Sequence, residues 1–197
     1  LKEDWHLDVE AFKQPNGGVI FPNPNAPTGL FEDLSIVEEI LEANRDVVVI
    51  VDEAYVDFGG VSALSLLEKY DNLLVVQTFS KSRSMAGARL GYALAPAALI
   101  ADLEKIKYSV NPYNVNRLTL RLGEATVDAQ DYCMEKCAAI IATREKTAEG
   151  LQALDFTVLP SKTNFLFVKS DKIGGRELYE KLKDRGILVR HFGNPRI

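Results

Sequence analysis

The 197-residue sequence predicts an α/β fold: a mostly parallel sheet flanked by helices, followed by a smaller α/β unit. Three apolar runs carry the first half of that expectation, namely Gly18-Val19-Ile20-Phe21, Val47-Val48-Val49-Ile50-Val51 and Leu73-Leu74-Val75-Val76-Gln77. Each is short, rich in β-branched or large apolar residues, and closes on polar residues, the pattern of a buried strand ending in a functional loop. The helical stretch from Asp33 to Ala43 supplies the crossover that parallel neighbours require.

The remaining elements follow in chain order. The first run ends in the Pro/Gly-punctuated loop Asn23-Pro24-Asn25-Ala26-Pro27-Thr28-Gly29, the second in Asp52-Glu53-Ala54-Tyr55, and the third in the segment around Lys81. Gly91 to Ala95 reads as a further strand and Ala97 to Ser109 as a helix. Asn114 to Ala129 and Asp131 to Leu154 also read as helical. The second of these repeats apolar residues at Cys137, Ile140, Ile141, Ala148, Leu151 and Leu154, close to a 3.6-residue period. Strands at Phe156 to Leu159, Asn164 to Val168 and Ile187 to Phe192 are expected to flank a helix from Gly175 to Arg185. The chain accordingly divides into a large unit over 1–130, a linking helix over 131–155 and a small unit over 156–197.

Composition narrows the function classes. Hydrophobic content of 47% against 26% charged is that of a globular protein, and a chain of this length buries roughly 70% of its unfolded surface. A net charge of -5 with no basic cluster argues against a nucleic-acid surface. No apolar run approaches the roughly 20 residues of a membrane helix, which agrees with a cytoplasmic enzyme acting on small molecules. Cys133 and Cys137 lie four apart on a predicted helix and are expected to pack as small apolar residues rather than bridge or bind a metal.

The chemistry centres on Thr78-Phe79-Ser80-Lys81-Ser82-Arg83-Ser84-Met85-Ala86-Gly87-Ala88-Arg89-Leu90-Gly91-Tyr92. Thr78, Ser80 and Arg89 can converge on a phosphate while the Lys81 amine forms an imine with an aldehyde, a combination that pyridoxal 5'-phosphate requires. Its ring must stay protonated at nitrogen, and a carboxylate facing that nitrogen favours the cation. Asp52 is the candidate. Tyr55, three residues on, is placed for the cofactor's phenolic oxygen, and Glu53 is expected to point away from Asp52 and take no part.

The ordered motifs Asn-Pro-Asn-Ala-Pro-Thr-Gly, Asp-Glu-Ala-Tyr-Val-Asp-Phe and Thr-Phe-Ser-Lys-Ser-Arg resemble those of the fold-type I pyridoxal-phosphate aminotransferases, and among them the histidinol-phosphate aminotransferases. The resemblance runs from Leu7-Asp8 to the Ile187 to Phe192 segment. It implies a fold-type I large domain, partial in this chain, with Gly91 to Ala95 antiparallel, and a partial small C-terminal domain. It also implies Lys81 as the Schiff-base lysine and proton carrier, Asp52 on the pyridinium nitrogen, Tyr55 on the phenolic oxygen, and Thr78, Ser80 and Arg89 on the cofactor phosphate.

One departure stands out. The family carries asparagine immediately before Pro-Thr-Gly where this chain has Ala26, so Asn25 is the expected substitute. Arg190 matches the arginine that binds the substrate's phosphate, and Asn164 a position near the substrate. The implied reaction moves an amino group from L-histidinol phosphate to 2-oxoglutarate in histidine biosynthesis, in a homodimer whose active sites take residues from both subunits. Another fold-type I enzyme (an aromatic aminotransferase, a carbon-sulfur lyase or a phosphothreonine-type decarboxylase) remains open, as does a catalytically incomplete dimerisation module.

The resemblance further suggests a partial chain. Leu1 is not an initiator methionine, Trp5-His6-Leu7-Asp8 matches a region well inside the family sequence, and Asn194 to Ile197 stop just before a strand bearing a second substrate arginine. Roughly the first third of a family member has no counterpart, including a turn that holds the cofactor phosphate, so weak turnover is expected of the chain alone.

Overall fold

A computed structural model describes residues 1–193; the expectation placed on Asn194 to Ile197 lies outside the described residues. The order is α1 (Val9–Phe12), β1 (Val19–Pro22), α2 (Leu34–Ala43), β2 (Val49–Asp52), β3 (Leu73–Thr78), β4 (Gly91–Leu94), α3 (Ala97–Val110), α4 (Arg117–Asp128), α5 (Gln130–Gln152), β5 (Thr157–Val158), β6 (Val168–Lys169) and α6 (Gly175–Asp184). Short 3-10 turns occur at Val56–Phe58, Ala63–Leu66 and Ala86–Ala88.

Strands β1, β2, β3 and β4 form one sheet in that order. The first three are parallel, with Pro22 opposite Asp52 and Asp52 opposite Val76. Strand β4 runs antiparallel to β3, pairing Thr78 with Gly91. Glycine is needed there because a Cβ at Gly91 would lie 2.9 Å from the Gln77 carbonyl oxygen.

Helix α2 explains how the sheet is covered. Asp33 caps it by accepting from the Ser35 N–H at 2.9 Å, and Val37, Ile40 and Leu41 form one buried stripe at helical spacing. That stripe packs with Val19, Phe21, Val49, Val51, Leu73 and Val75 from alternate positions of the strands. The buried Asn44 finishes the helix: its amide donates to the Ile40 carbonyl at 2.8 Å and to the Phe12 carbonyl at 3.0 Å, tying α1 to the end of α2.

The later helices are less covered. Helix α3 buries none of its residues, whereas α5 buries Cys133, Cys137 and Arg144 along one face. Both cysteines are free thiols packed inside, as their spacing suggests, and burial pushes the Cys137 thiol up. The face is in large part the anticipated one: Cys137 is buried and Ile141, Ala148 and Leu151 are half-buried along it, while Ile140 is 39% and Leu154 68% exposed.

The strands after α5 depart furthest from expectation. Strands β5 and β6 make an antiparallel ladder of only two residue pairs, Thr157 with Lys169 and Val158 with Val168. Ile187 to Phe192 forms no strand. Its β-branched and apolar composition favours extension, but a strand needs a lateral ladder, and Leu188 there is 77% exposed. The Asn164 to Val168 strand is likewise reduced, because the Ser161 and Thr163 hydroxyls bind the Phe165 carbonyl at 2.8 and 3.1 Å and hold that stretch as a turn.

Candidate functional site

Parallel pairing places the ends of β1, β2 and β3 side by side, so Asn25, Asp52 and Thr78 lie along one sheet edge. This is the edge at which open parallel sheets take ligands. Asp52 ends β2 half-buried, and its Oδ1 accepts from the Ala54 N–H at 2.9 Å, turning the chain out of the strand. Tyr55 follows at the start of the 3-10 turn.

Lys81 comes to the same place from β3. Its Nζ stands 5.1 Å from the centroid of the Tyr55 ring, within cation–π range. The loop around it is built by its own hydroxyls. Thr78 Oγ1 accepts from the Ser80 N–H at 3.1 Å and donates to the Leu90 carbonyl at 3.3 Å, while Ser82 Oγ donates to Asp57 Oδ2 at 2.5 Å. The Ser84 N–H bonds the Lys81 carbonyl at 3.1 Å, and Arg83 Nη2 donates to Gln130 at the start of α5.

Arg89 closes the loop in a left-handed backbone conformation, φ 53°, just before β4. Its Nη1 donates to the Ala86 carbonyl at 3.0 Å, and the side chain is exposed. Because Thr78 pairs with Gly91, Arg89 is brought beside the end of β3. One carboxylate, one phenol, one amine, two hydroxyls and one guanidinium therefore occupy a single edge. The set suits a cationic ring at one end and an anion at the other.

Asn25 belongs to the loop after β1. Its amide nitrogen donates to Thr28 Oγ1 at 2.7 Å, its carbonyl accepts from the Gly29 N–H at 2.8 Å, and Ala26 beside it is exposed. Asn23, by contrast, is buried and bonded in both directions with Glu32 at 2.9 Å, which fixes it as part of the loop's frame.

Two predicted residues stand apart. Asn164 is exposed, although its neighbour Phe165 meets Tyr55 edge to face with centroids 5.2 Å apart. Arg190 is exposed beyond α6, where its guanidinium lies 5.9 Å from the Phe192 ring, and no described contact links it to the Lys81 edge.

Sequence reasoning underrated Glu53. It points away from Asp52 as strand alternation dictates, but it is far from idle. Only 2% exposed, it accepts from Ser62 Oγ at 2.6 Å, the Ala63 N–H at 2.6 Å and Gln77 Nε2 at 2.8 Å. Burial raises its pKa above the usual value, more than these bonds lower it. Gln77 in turn accepts from the Tyr92 hydroxyl at 2.5 Å, so the network crosses from β2 to β4. The signal was the inside-outside alternation of β2, which continues one residue past Asp52.

Arg144 was missed altogether. Its Nη1 donates to the Phe58 carbonyl at 2.9 Å and the Thr163 carbonyl at 2.7 Å, and its remaining edge faces Glu145. Nothing in its sequence neighbourhood distinguishes it from the exposed charges of α5.

A sheet edge with these groups, arranged by these motifs, defines the class. The family model for aminotransferase class I and II matches residues 1–197, and the chain belongs to that family. Within it, the chain is 48% identical over all 197 residues to the histidinol-phosphate aminotransferase of Acinetobacter baumannii strain SDF, covering 55% of that protein. It is 49% identical to the one from Pseudomonas putida KT2440, covering 57% of it. The crystal structure of the histidinol-phosphate aminotransferase from Clostridium acetobutylicum superposes with a TM-score of 0.87 at 26% identity, over 99% of this chain and 61% of that one. The Sinorhizobium meliloti enzyme in complex with pyridoxal-5'-phosphate gives 0.84 at 25% identity, over 96% of this chain and 55% of that one. The chain thus spans about half the length of the curated relatives it matches.

Proposed function

We propose that this chain carries the pyridoxal 5'-phosphate site of an aminotransferase that uses L-histidinol phosphate as amino donor and 2-oxoglutarate as acceptor. The observation that carries the reading is the Lys81 amine against the Tyr55 ring, on the edge where Asp52 and Thr78 end their strands. The identity of 48% to proteins named for that donor supports the choice of substrate.

The residues fit the cofactor by their chemistry. Asp52 would keep the proton on the ring nitrogen. Tyr55 would donate to the phenolic oxygen. Asn25 would add a second donor there, since an amide carries two N–H groups and Thr28 takes one. Thr78, Ser80 and Arg89 would hold the phosphate, the guanidinium supplying charge and a fork of donors. When bound, the cofactor supplies an electron-withdrawing ring that stabilises negative charge at the donor's α-carbon. Lys81 would hold the cofactor's aldehyde end and would carry the proton to and from the donor's α-carbon.

Arg190 is assigned to the substrate phosphate and Asn164 to the substrate's polar end. The division into 1–130, 131–155 and 156–197, the homodimer and a cytoplasmic location belong to the same proposal. The test is glutamate formation from 2-oxoglutarate with L-histidinol phosphate as donor and L-phenylalanine as its competitor. Faster reaction with histidinol phosphate is expected; preference for phenylalanine contradicts the substrate assignment.

A further inference from the structure

Three turns from distant parts of the sequence meet behind Tyr55. Lys162 donates its backbone N–H to the Gly29 carbonyl at 2.8 Å. A Cβ at Gly29 would lie 2.6 Å from Ser161 Oγ, and one at Gly59 would lie 3.3 Å from Lys162 Cδ. The loops after β1 and β2 and the turn between β5 and β6 are therefore in close contact. Arg144 sits at their junction, with its side chain 4% exposed.

The guanidinium is suited to this position. One nitrogen gives both its hydrogens to carbonyls from different turns, Phe58 at 2.9 Å and Thr163 at 2.7 Å. The opposite edge forks onto Glu145 Oε1 at 3.0 and 2.6 Å, which balances the buried charge. Phe58 ends the 3-10 turn that Tyr55 begins, and its N–H bonds the Tyr55 carbonyl at 3.1 Å. Thr163 is fully buried, and its hydroxyl is bonded to the Phe165 backbone. Phe165 then sets its ring against Tyr55, whose face meets Lys81.

We propose that Arg144 is a positioning residue for the reacting lysine: by fastening the Phe58 and Thr163 carbonyls together it fixes Phe165 against Tyr55 and so sets the Tyr55 ring against Lys81. The proposal rests on the reading of Lys81 as the amine of the site. Arg144 itself touches neither Lys81 nor the edge groups. Its influence passes through backbone to an aromatic pair, and Asn164, held between Thr163 and Phe165, is placed by the same contact.

The consequence is specific to one lysine. Loss of the Tyr55 face removes the contact that holds the Lys81 side chain against the ring, so the amine is freer to meet a reagent and reacts faster, by roughly two- to fivefold for one exposed cation–π contact. The test is competitive acylation of the cofactor-free chain with acetic anhydride, read by peptide mass spectrometry. Lys81 is ratioed to Lys105 and Lys169, whose side chains are 76% and 72% exposed. The ratio should rise in Arg144→Met and in Phe165→Leu. Should Arg144→Met not fold, Arg144→Gln, which keeps one amide donor, is read in the same way. A merely structural loss raises all lysines together. A wild-type ratio in a folded Arg144 variant, or in Phe165→Leu, overturns the proposal. Absence of a borohydride-stable adduct between the wild-type chain and pyridoxal 5'-phosphate would instead refute the cofactor reading, leaving the acylation ratio interpretable.

Discussion

Asp52 and Glu53 stand side by side in sequence, yet strand alternation leaves one half-buried at the edge and sinks the other among Ser62, Ala63 and Gln77. The buried one has a testable pH signature. An acid whose folded-state pKa is raised is protonated in both states below the ordinary 4.5; above it the unfolded chain releases its proton first. The Glu53 contribution to stability is therefore complete below 4.5 and drains away as pH rises through the raised folded value. Glu53→Gln should flatten that part of the profile in urea melts run as a pH series from 4.5 upward. It should also cost about 1–3 kcal/mol, because an amide turns N–H groups toward donors that the carboxylate satisfied. An unchanged pH slope would contradict the burial argument. The placement of Lys81, Thr78, Ser80 and Arg89 at one strand end was legible because all four lie in a single short segment from the end of β3 to the start of β4. That of Arg144 was not, because its burial exists only once the turns carrying Phe58 and Thr163 have met at its Nη1.

Among elements, the parallel strands and α2 were legible because periodicity, caps and turn residues agree along them. Helix α4 starts at Arg117 rather than at the expected Asn114, because Asn116 caps it by accepting from the Thr119 N–H at 2.9 Å. Removing that cap with Asn116→Ala should cost about 1 kcal/mol in chemical denaturation, without altering the site. The strands after α5 were misread because their extended propensity lacks a partner edge, which no local pattern reveals. Loop packing is equally non-local. Gly29 has φ 82°, and an added Cβ would meet Ser161 Oγ at 2.6 Å. Gly29→Ala should destabilise by about 1–3 kcal/mol through the strained backbone and the clash, measured as a lower urea midpoint. A melt equal to wild type would mean that the two turns can separate freely.

At the scale of the whole molecule, coverage is uneven. The sheet is packed on α1 and α2, while α3 buries nothing, and Val110, Tyr113 and Leu118 are 80%, 92% and 70% exposed. Apolar exposure of this extent is characteristic of interaction surfaces. The native chain should therefore enhance the fluorescence of an apolar-surface dye, and Val110→Ser with Leu118→Ser should reduce that signal without lowering the melting temperature. The chain's half-length match to its relatives makes the completeness of the site the central question. The groups gathered at the edge of β1, β2 and β3 should suffice to direct the cofactor to one lysine of the many present. The most direct measurement is to mix the chain with pyridoxal 5'-phosphate, reduce with borohydride and map the adduct by mass spectrometry. A single adduct on Lys81, abolished by Lys81→Ala and weakened by Asp52→Ala, is the predicted result; no adduct, or one spread evenly over the surface lysines, would contradict it.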